Sequence, residues 1–185
     1  KGYKTLIVLS GDFEQGEYIE YQFERTSMED HFRLFVNNEL VGQDEYDFYL
    51  AEDGDPFEAA NLLGTVSYQE LTEMTYWDGD DDSEDFNEDE YTIYLTEPGS
   101  DEVIFETPTL SLAYNTEYVL ITRDLSGAIQ NGMALDVLLN STTVYEVTDV
   151  DATSQYRIYN SLNTDSPVTV TFTGDDEAEA ISVEL

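Results

Sequence analysis

The chain has 185 residues, of which 42 are Asp or Glu and only 6 are Lys or Arg, so its formal net charge at pH 7 is −36. This balance nearly excludes nucleic acid as a partner and disfavours anionic membrane surfaces, because both are bound through clustered Lys and Arg side chains. The 41% hydrophobic and 13% aromatic content separates the chain from disordered acidic proteins, and no apolar run approaches the roughly 18 residues of a membrane-spanning helix.

The charge also bears on the surroundings in which the protein works. Repulsion among many carboxylates opposes compaction at low ionic strength and is screened by salt. We therefore expect a salt-adapted protein in saline or calcium-rich surroundings. The first residue is Lys1 rather than Met, which is typical of a processed N-terminus. Cys is absent from the sequence, so disulfides and thiolate metal sites are excluded.

The first half of the chain predicts three clear strands. Leu6–Leu9 is apolar on both faces, which is typical of a central strand covered on both sides. In Glu17–Glu24 and in Tyr46–Leu50, large apolar side chains alternate with other residues, polar ones above all. This period of two predicts strands of antiparallel sheets with one face solvated.

One short helix is predicted between these strands and the next. Asp55 is placed to cap it, Pro56 stands at its first position, and Glu58 completes a capping box. Gly64 marks its end. The helix would cover about two turns, across Phe57–Leu62.

The second half repeats the strand patterns. Alternation recurs in Tyr91–Leu95, in Val168–Thr173 and at Ile181, Val183 and Leu185, whereas Tyr118–Ile121 is apolar on both faces. Strands are separated by Gly, Asn, Asp and Pro without intervening helical patterns. The predicted fold class is therefore all-β, an antiparallel β-sandwich of immunoglobulin-like or transthyretin-like type.

Two pairs of segments suggest an internal repeat. Lys4–Asp12 resembles Glu117–Asp124, and Phe32–Asn37 resembles Tyr156–Ser161, with Arg second in both members of the latter pair. The order of the segments is kept, as expected for tandem units. The repeat predicts three parts: tail strands of a preceding unit (1–30), a complete sandwich (31–154) and the opening strands of a following unit (155–185).

A resemblance to a known family rests on five segments, Phe32–Asn37, Asp47–Leu50, Leu63–Tyr68, Tyr91–Leu95 and Tyr114–Leu120. Their order resembles the bacterial family catalogued as domain of unknown function 4397. The resemblance covers residues 31–140 fully, and the chain departs from it in a long acidic insertion. It implies a tandem β-fold that is exported to the periplasm, the cell surface or the medium, and it implies no catalytic residue.

The acidic insertion, residues 78–90, carries the candidate metal ligands. Their carboxylates fall at positions 1, 3, 5, 7 and 12 of a loop, a spacing similar to that of a helix-flanked calcium loop: Asp78, Asp80, Asp82, Glu84 and Asp89. However, Ser83 replaces the Gly that the sharp turn of such a loop requires, and strands are predicted on both sides. Two interpretations stay open, a weak Ca²⁺ site and a solvated acidic loop without a ligand.

Signals for catalysis are weak. His31 is the only His, and its position beside a predicted unit boundary favours a surface residue over a catalytic base. Carboxylate pairs able to hydrolyse a glycoside would arise by chance among 42 acidic residues. Trp77, next to the acidic insertion, is either a sugar-stacking platform or an anchoring side chain.

These observations predict a non-catalytic, extracytoplasmic β-sandwich repeat module with a structural or adhesive role. Its expected partners are neighbouring repeat units or copies of itself. The alternative is a Ca²⁺-dependent module that binds a glycan or another ligand. A hydrolase is the third hypothesis, and it lacks a residue signal.

Overall fold

The computed structural model describes residues 2–10, 16–28, 30–74, 86, 89–125, 132–140, 143–152, 168–173 and 180–184. The chain divides into two compact units, residues 1–153 and 154–185. Every statement below about elements and contacts refers to the described residues.

Fourteen strands and one short 3-10 helix are described. The strands are β1 (Tyr3–Ser10), β2 (Glu17–Glu24), β3 (Arg33–Asn38), β4 (Glu45–Glu52), β5 (Asn61–Ser67), β6 (Leu71–Glu73), β7 (Asp89–Thr96), β8 (Val103–Glu106), β9 (Leu110–Leu112), β10 (Glu117–Asp124), β11 (Met133–Leu139), β12 (Thr143–Thr148), β13 (Thr169–Thr173) and β14 (Ala180–Glu184). The helix is Phe57–Ala59, between β4 and β5.

Two large sheets make up the body of the first unit. Sheet I has the order β12-β11-β10-β3-β6, and sheet II has the order β5-β4-β7-β8 with β9 also paired to β7. All pairs are antiparallel except β3 with β10, which run parallel from Arg33 beside Glu117 to Asn38 beside Thr122. The predicted all-β fold with antiparallel sheets is confirmed, and this single parallel pair is the exception.

The inner faces of the two sheets share one hydrophobic core. Sheet I contributes side chains such as Leu34, Leu120 and Leu135, and sheet II contributes side chains such as Phe48 and Ile93, all of which are fully buried. The predicted alternation places these residues on the core side because successive strand residues point to opposite faces. The predicted double coverage of Tyr118–Ile121 also agrees with the structure, since this part of β10 is buried on both faces.

The strands β1 and β2 form a separate antiparallel ribbon that packs on the outer face of sheet I. The rings of Phe23 and Phe35 lie 4.9 Å apart between centroids. The Tyr21 hydroxyl donates to the Gln69 carbonyl at 2.7 Å and accepts from the Asn37 amide at 3.0 Å. A ribbon of two strands is marginal by itself, so these contacts with sheet I stabilise it.

The structure corrects the prediction for Leu6–Leu9. Leu6 and Val8 face sheet I, but Ile7 is 60% exposed and Leu9 is 84% exposed. The apolar run therefore covers sheet I with one face and leaves the other face in solvent. It is not a central strand, because no second sheet covers it within the described residues.

The predicted helix is also corrected. The 3-10 helix spans only Phe57–Ala59, and Pro56 at its N-cap makes no side-chain capping bond. Leu62 and Gly64 belong instead to β5, which pairs with β4 through a register shift. Gly64 has a φ of 155° at that irregularity, which favours glycine. Pairing with β4 therefore outweighs the local helical signal.

In the second unit, β13 and β14 form an antiparallel pair from Thr169 beside Glu184 to Thr173 beside Ala180. Both strands were predicted from alternation: the predicted Val168–Thr173 begins one residue before β13, and the predicted residues Ile181 to Leu185 are shifted by one position from β14. The division of the chain into a preceding, a complete and a following repeat unit stays a prediction.

Candidate interaction surface

The outer edge of β1 carries backbone groups that no described strand pairs with. The Arg25 N–H donates to the Gly2 carbonyl at 3.0 Å, and this pair continues the register of the ribbon. In an antiparallel ladder, hydrogen-bonded pairs alternate with non-bonded ones. The N–H and C=O groups of Thr5, Ile7 and Leu9 therefore point away from β2, toward the open edge.

A groove of about 510 Å³ runs along this edge, between β1 and the outer face of sheet I. Its floor includes Ile121 and Leu138, and exposed Val41 and Val144 stand on its rim. Leu9 closes the β1 side. The groove thus combines unpaired strand backbone with apolar side chains, the two features by which sheets recruit an extended segment.

The groove also contains a buried carboxylate without a described partner. Glu39 is 9% exposed, and neither of its carboxylate oxygens accepts a hydrogen bond from a described residue. Leaving a buried polar group unpaired is costly. The Glu39 carboxylate therefore favours an occupant that brings a hydrogen-bond donor.

The cation that lines the groove is already neutralised. Arg123 makes a bidentate contact with Asp136, at 2.7 and 2.9 Å, and also binds Glu146. The hydrogen bonds that the guanidinium donates to Asp136 are the largest cause that raises the pKa of Arg123, so the guanidinium stays charged. The groove is consequently acidic overall, with Glu39 and Asp124 also on its walls.

The ribbon is tied to sheet I by a cluster of charged side chains. Glu117 is 2% exposed, and its Oε2 lies 3.3 Å from the Lys4 ammonium and 3.8 Å from the Arg33 guanidinium. Arg33 also contacts Glu73 at 2.7 Å and donates to the Glu24 carbonyl of β2 at 3.1 Å. These contacts fix the position of β1, so its free edge is a preorganised platform.

The predicted metal ligands are only partly placed. Asp78, Asp80, Asp82 and Glu84 lie outside the described residues. Asp89 is the first residue of β7, pairs with Leu112 of β9, and accepts the Glu90 N–H at 2.8 Å through Oδ1. In the part of the chain that the structure describes, no three Asp, Glu or His side chains are grouped to hold a metal ion. The Ca²⁺ site stays a prediction.

His31 lies at the start of β3 with its Nδ1 3.3 Å from the Asp30 carboxylate. The Asp30 side chain is largely exposed, unlike the buried acid that orients the base in a catalytic triad. Trp77 lies outside the described residues. Comparison with family models, with curated proteins and with solved structures finds no match. Among the described residues, no helix is both long and apolar enough to cross a membrane.

The sequence did not point to the groove. The apolar character of Leu6–Leu9 was visible, but a strand covered by a second sheet and a strand with one face in solvent carry the same pattern. The polar face of β2, which carries Glu20, Gln22 and Glu24, continues across the ribbon to Ile7. That face indicates solvent beside Ile7 only once the pairing of β1 with β2 is known.

Proposed function

We propose that the chain is a non-catalytic structural or adhesive module of a secreted or cell-surface protein, and that it associates with neighbouring units or copies of itself. The observation that carries this proposal is the open edge of β1 beside an apolar groove. Soluble proteins protect or blunt such edges because they template pairing with other chains. Here the edge is held in place by the Lys4, Arg33 and Glu117 contacts, and no described strand pairs with it.

Strand addition is the mode of association that fits this surface. An incoming strand would pair with the backbone of Thr5, Ile7 and Leu9 and lie over Leu138 and Val144. Its backbone would form the ladder, and its alternate side chains would fill the apolar floor. The ribbon would then become a sheet of three strands, which is more stable than two.

The charge of the groove selects the kind of strand. Glu39 and Asp124 repel an acidic segment, and most segments of this chain are acidic. Strand β13, with the sequence Thr-Val-Thr-Phe-Thr, carries no charge. A neighbouring copy can therefore supply a strand that suits the groove, which favours a copy of this chain as the partner.

Export to the cell surface or the medium is part of the proposal. The formal charge of −36 supports it, because a surface of this kind is best tolerated where salt screens it. Glycan binding remains the alternative from the sequence, and no described contact favours it over self-association.

Sedimentation equilibrium of the purified chain tests the proposal in a screening salt of about 0.5 M. We expect concentration-dependent association that Ile7→Pro weakens by about tenfold or more, because proline removes the N–H that faces the incoming strand. That N–H does not pair with β2, so the ribbon itself should stay folded. Leu9→Thr should weaken association as well, by removing exposed apolar area that a neighbouring strand would cover.

Val150→Thr is the matched control, since Val150 is also an exposed apolar residue but lies in a turn away from β1. It should leave the association constant unchanged. A chain that stays monomeric at all concentrations, or one whose association resists both β1 substitutions, would show that the open edge is not the interaction surface.

A further inference from the structure

One end of the sandwich contains an open cavity of about 660 Å³. Sheet II contributes Val103 and Phe105 of β8 to its wall, and sheet I contributes Met133 of β11. Leu40, which follows β3, closes another side. Pockets that bind small molecules measure about 300 to 1,000 Å³, so the size suits a small organic ligand, and the lining places these apolar side chains beside polar ones.

The Tyr46 hydroxyl is the polar group that the fold leaves without a partner at this cavity. Tyr46 lines the cavity and is only 2% exposed, and its hydroxyl makes no hydrogen bond with any described residue. Leaving a buried hydroxyl without a hydrogen bond is unfavourable. The fold does not require a hydroxyl here, because apolar side chains such as Phe48 and Leu50 fill the core from the same strand. The hydroxyl at this wall therefore points to a ligand group.

Carboxylates make the lining of the cavity negatively charged. Its described lining includes Glu106, Asp124, Asp149 and Asp151 but no Lys or Arg. Asp149 is occupied, since it accepts the Glu106 N–H at 3.1 Å and the Asp151 N–H at 2.7 Å. The Asp124 carboxylate accepts only a long bond of 3.4 Å, from the Val41 N–H, among the contacts described. This lining repels anions and favours a cation near Asp124.

Tyr46 and Asp124 act on the same region of the cavity. Burial raises the pKa of Tyr46 well above its usual range, and Asp124 raises it further. The phenol consequently stays neutral at physiological pH and can accept a hydrogen bond through its oxygen. A group with several N–H donors and a positive charge can bind both the phenol oxygen and the carboxylate.

We propose that this cavity binds a small organic cation, a primary ammonium group carried on an apolar body. The ammonium donates to the Tyr46 hydroxyl oxygen and to the Asp124 carboxylate, and the apolar body packs against Leu40, Phe105 and Met133. Among the described residues, no three side chains are grouped to hold a bare metal ion. The site lies between the two sheets, whereas the β1 groove lies outside sheet I, although both include Val41 and Asp124.

Hexylammonium is a suitable probe, with hexanol and hexanoate as uncharged and anionic analogues of the same body. Titrations followed by NMR should be made in about 0.5 M NaCl, to suppress diffuse binding of cations to the acidic surface. We expect one saturable site, with shifts centred on Val103, Phe105 and Met133. Hexanol should bind at least about tenfold more weakly, because it lacks the charge-assisted hydrogen bonds of the ammonium. Hexanoate should not bind, because the carboxylates of the lining repel it.

Three variants decide whether the named residues form the site. Tyr46→Phe and Asp124→Asn should each weaken hexylammonium binding by about tenfold, and Tyr46→Phe should keep the fold because it removes only an unpartnered hydroxyl. Glu20→Gln, on the exposed face of the ribbon, removes one negative charge elsewhere and should change nothing. If Tyr46→Phe fails to fold, Asp124→Asn decides alone. Equal binding of hexanoate, unchanged affinity in the cavity variants, or an equal loss in Glu20→Gln would overturn the proposal.

Discussion

Asp47 and Tyr46 are neighbours in β4, and both are buried, but their polar atoms are treated differently. Asp47 accepts the Thr65 hydroxyl at 2.6 Å and the Gly99 N–H at 2.7 Å, so each carboxylate oxygen has a donor. The Tyr46 hydroxyl has no described partner. Most buried polar groups are paired in folded proteins. The unpaired hydroxyl of Tyr46 therefore lowers the stability of the fold, whereas the paired carboxylate of Asp47 does not.

The pKa of Tyr46 predicts a loss of stability at alkaline pH. Burial, together with Asp124 and Glu97, raises the folded-state pKa, so the folded state binds its proton more tightly than the unfolded state. The contribution is complete below the ordinary Tyr pKa of about 10 and is lost as the pH rises above it. Each pH unit above about 10 should cost about 1.4 kcal/mol until the folded-state pKa is reached.

Chemical denaturation of the wild-type chain and of Tyr46→Phe between pH 8 and 11.5 measures this effect. Tyr46→Phe should be as stable as wild type or more stable at pH 8, and its stability should fall less steeply above pH 10. Parallel pH profiles in the two proteins would show that Tyr46 ionises as easily folded as unfolded.

At the scale of the strands, alternation predicted which face of a strand is apolar, but it did not predict which strand or sheet covers that face. The predicted limits of Glu17–Glu24 agree with β2, and its apolar residues Ile19, Tyr21 and Phe23 are the less exposed ones. Local residue types report which side of a strand is apolar, but the covering partner comes from elsewhere in the chain. For this reason the exposed face of Leu6–Leu9 and the parallel pairing of β3 with β10 could not be derived.

The candidate surfaces were harder to predict than the strands. The groove depends on where the ribbon stops on sheet I, and the cavity depends on the spacing of two sheets at one end. Neither is encoded in a local pattern. Alternation predicted that Tyr46 shares a strand face with Phe48 and Leu50, but only the fold shows that Tyr46 lines a cavity and that its buried hydroxyl has no described partner.

The acidic insertion remains a separate prediction at the scale of one segment. We expect Ca²⁺ to bind there with a dissociation constant of about 10⁻⁴ to 10⁻³ M, because carboxylates are close in sequence and no Gly preorganises the turn. Mg²⁺ should bind more weakly, since it keeps its water and requires stricter geometry. Calorimetry in about 0.5 M NaCl separates a site from diffuse screening.

Replacing Asp80 and Asp82 with Asn should abolish the Ca²⁺ heat, whereas replacing Asp101 and Glu102, an acidic pair between β7 and β8, should not. Absence of heat in salt, or equal loss in both double variants, would leave the insertion as a solvated acidic segment.

At the scale of the whole molecule, repulsion among the carboxylates lowers the stability of the folded state, which the hydrophobic core favours. With 42 acidic residues against 6 basic ones, we expect the melting temperature to rise with NaCl from about 0.05 to 1 M, as the Debye length falls from about 14 to 3 Å. Repulsion between associating copies should weaken over the same range. A melting temperature that is flat in salt would show that repulsion does not limit the stability of this fold.

Strand addition at β1 involves the backbone groups of single residues, the open edge of the ribbon and the association of whole chains. Hydrogen exchange of the backbone amides of Thr5, Ile7 and Leu9 measures it most directly, at concentrations below and above the onset of association. In the monomer these amides should exchange quickly, whereas those of Leu6 and Val8, which pair with β2, should be protected. We predict that association protects Thr5, Ile7 and Leu9 selectively. Association that leaves their exchange unchanged would contradict the account.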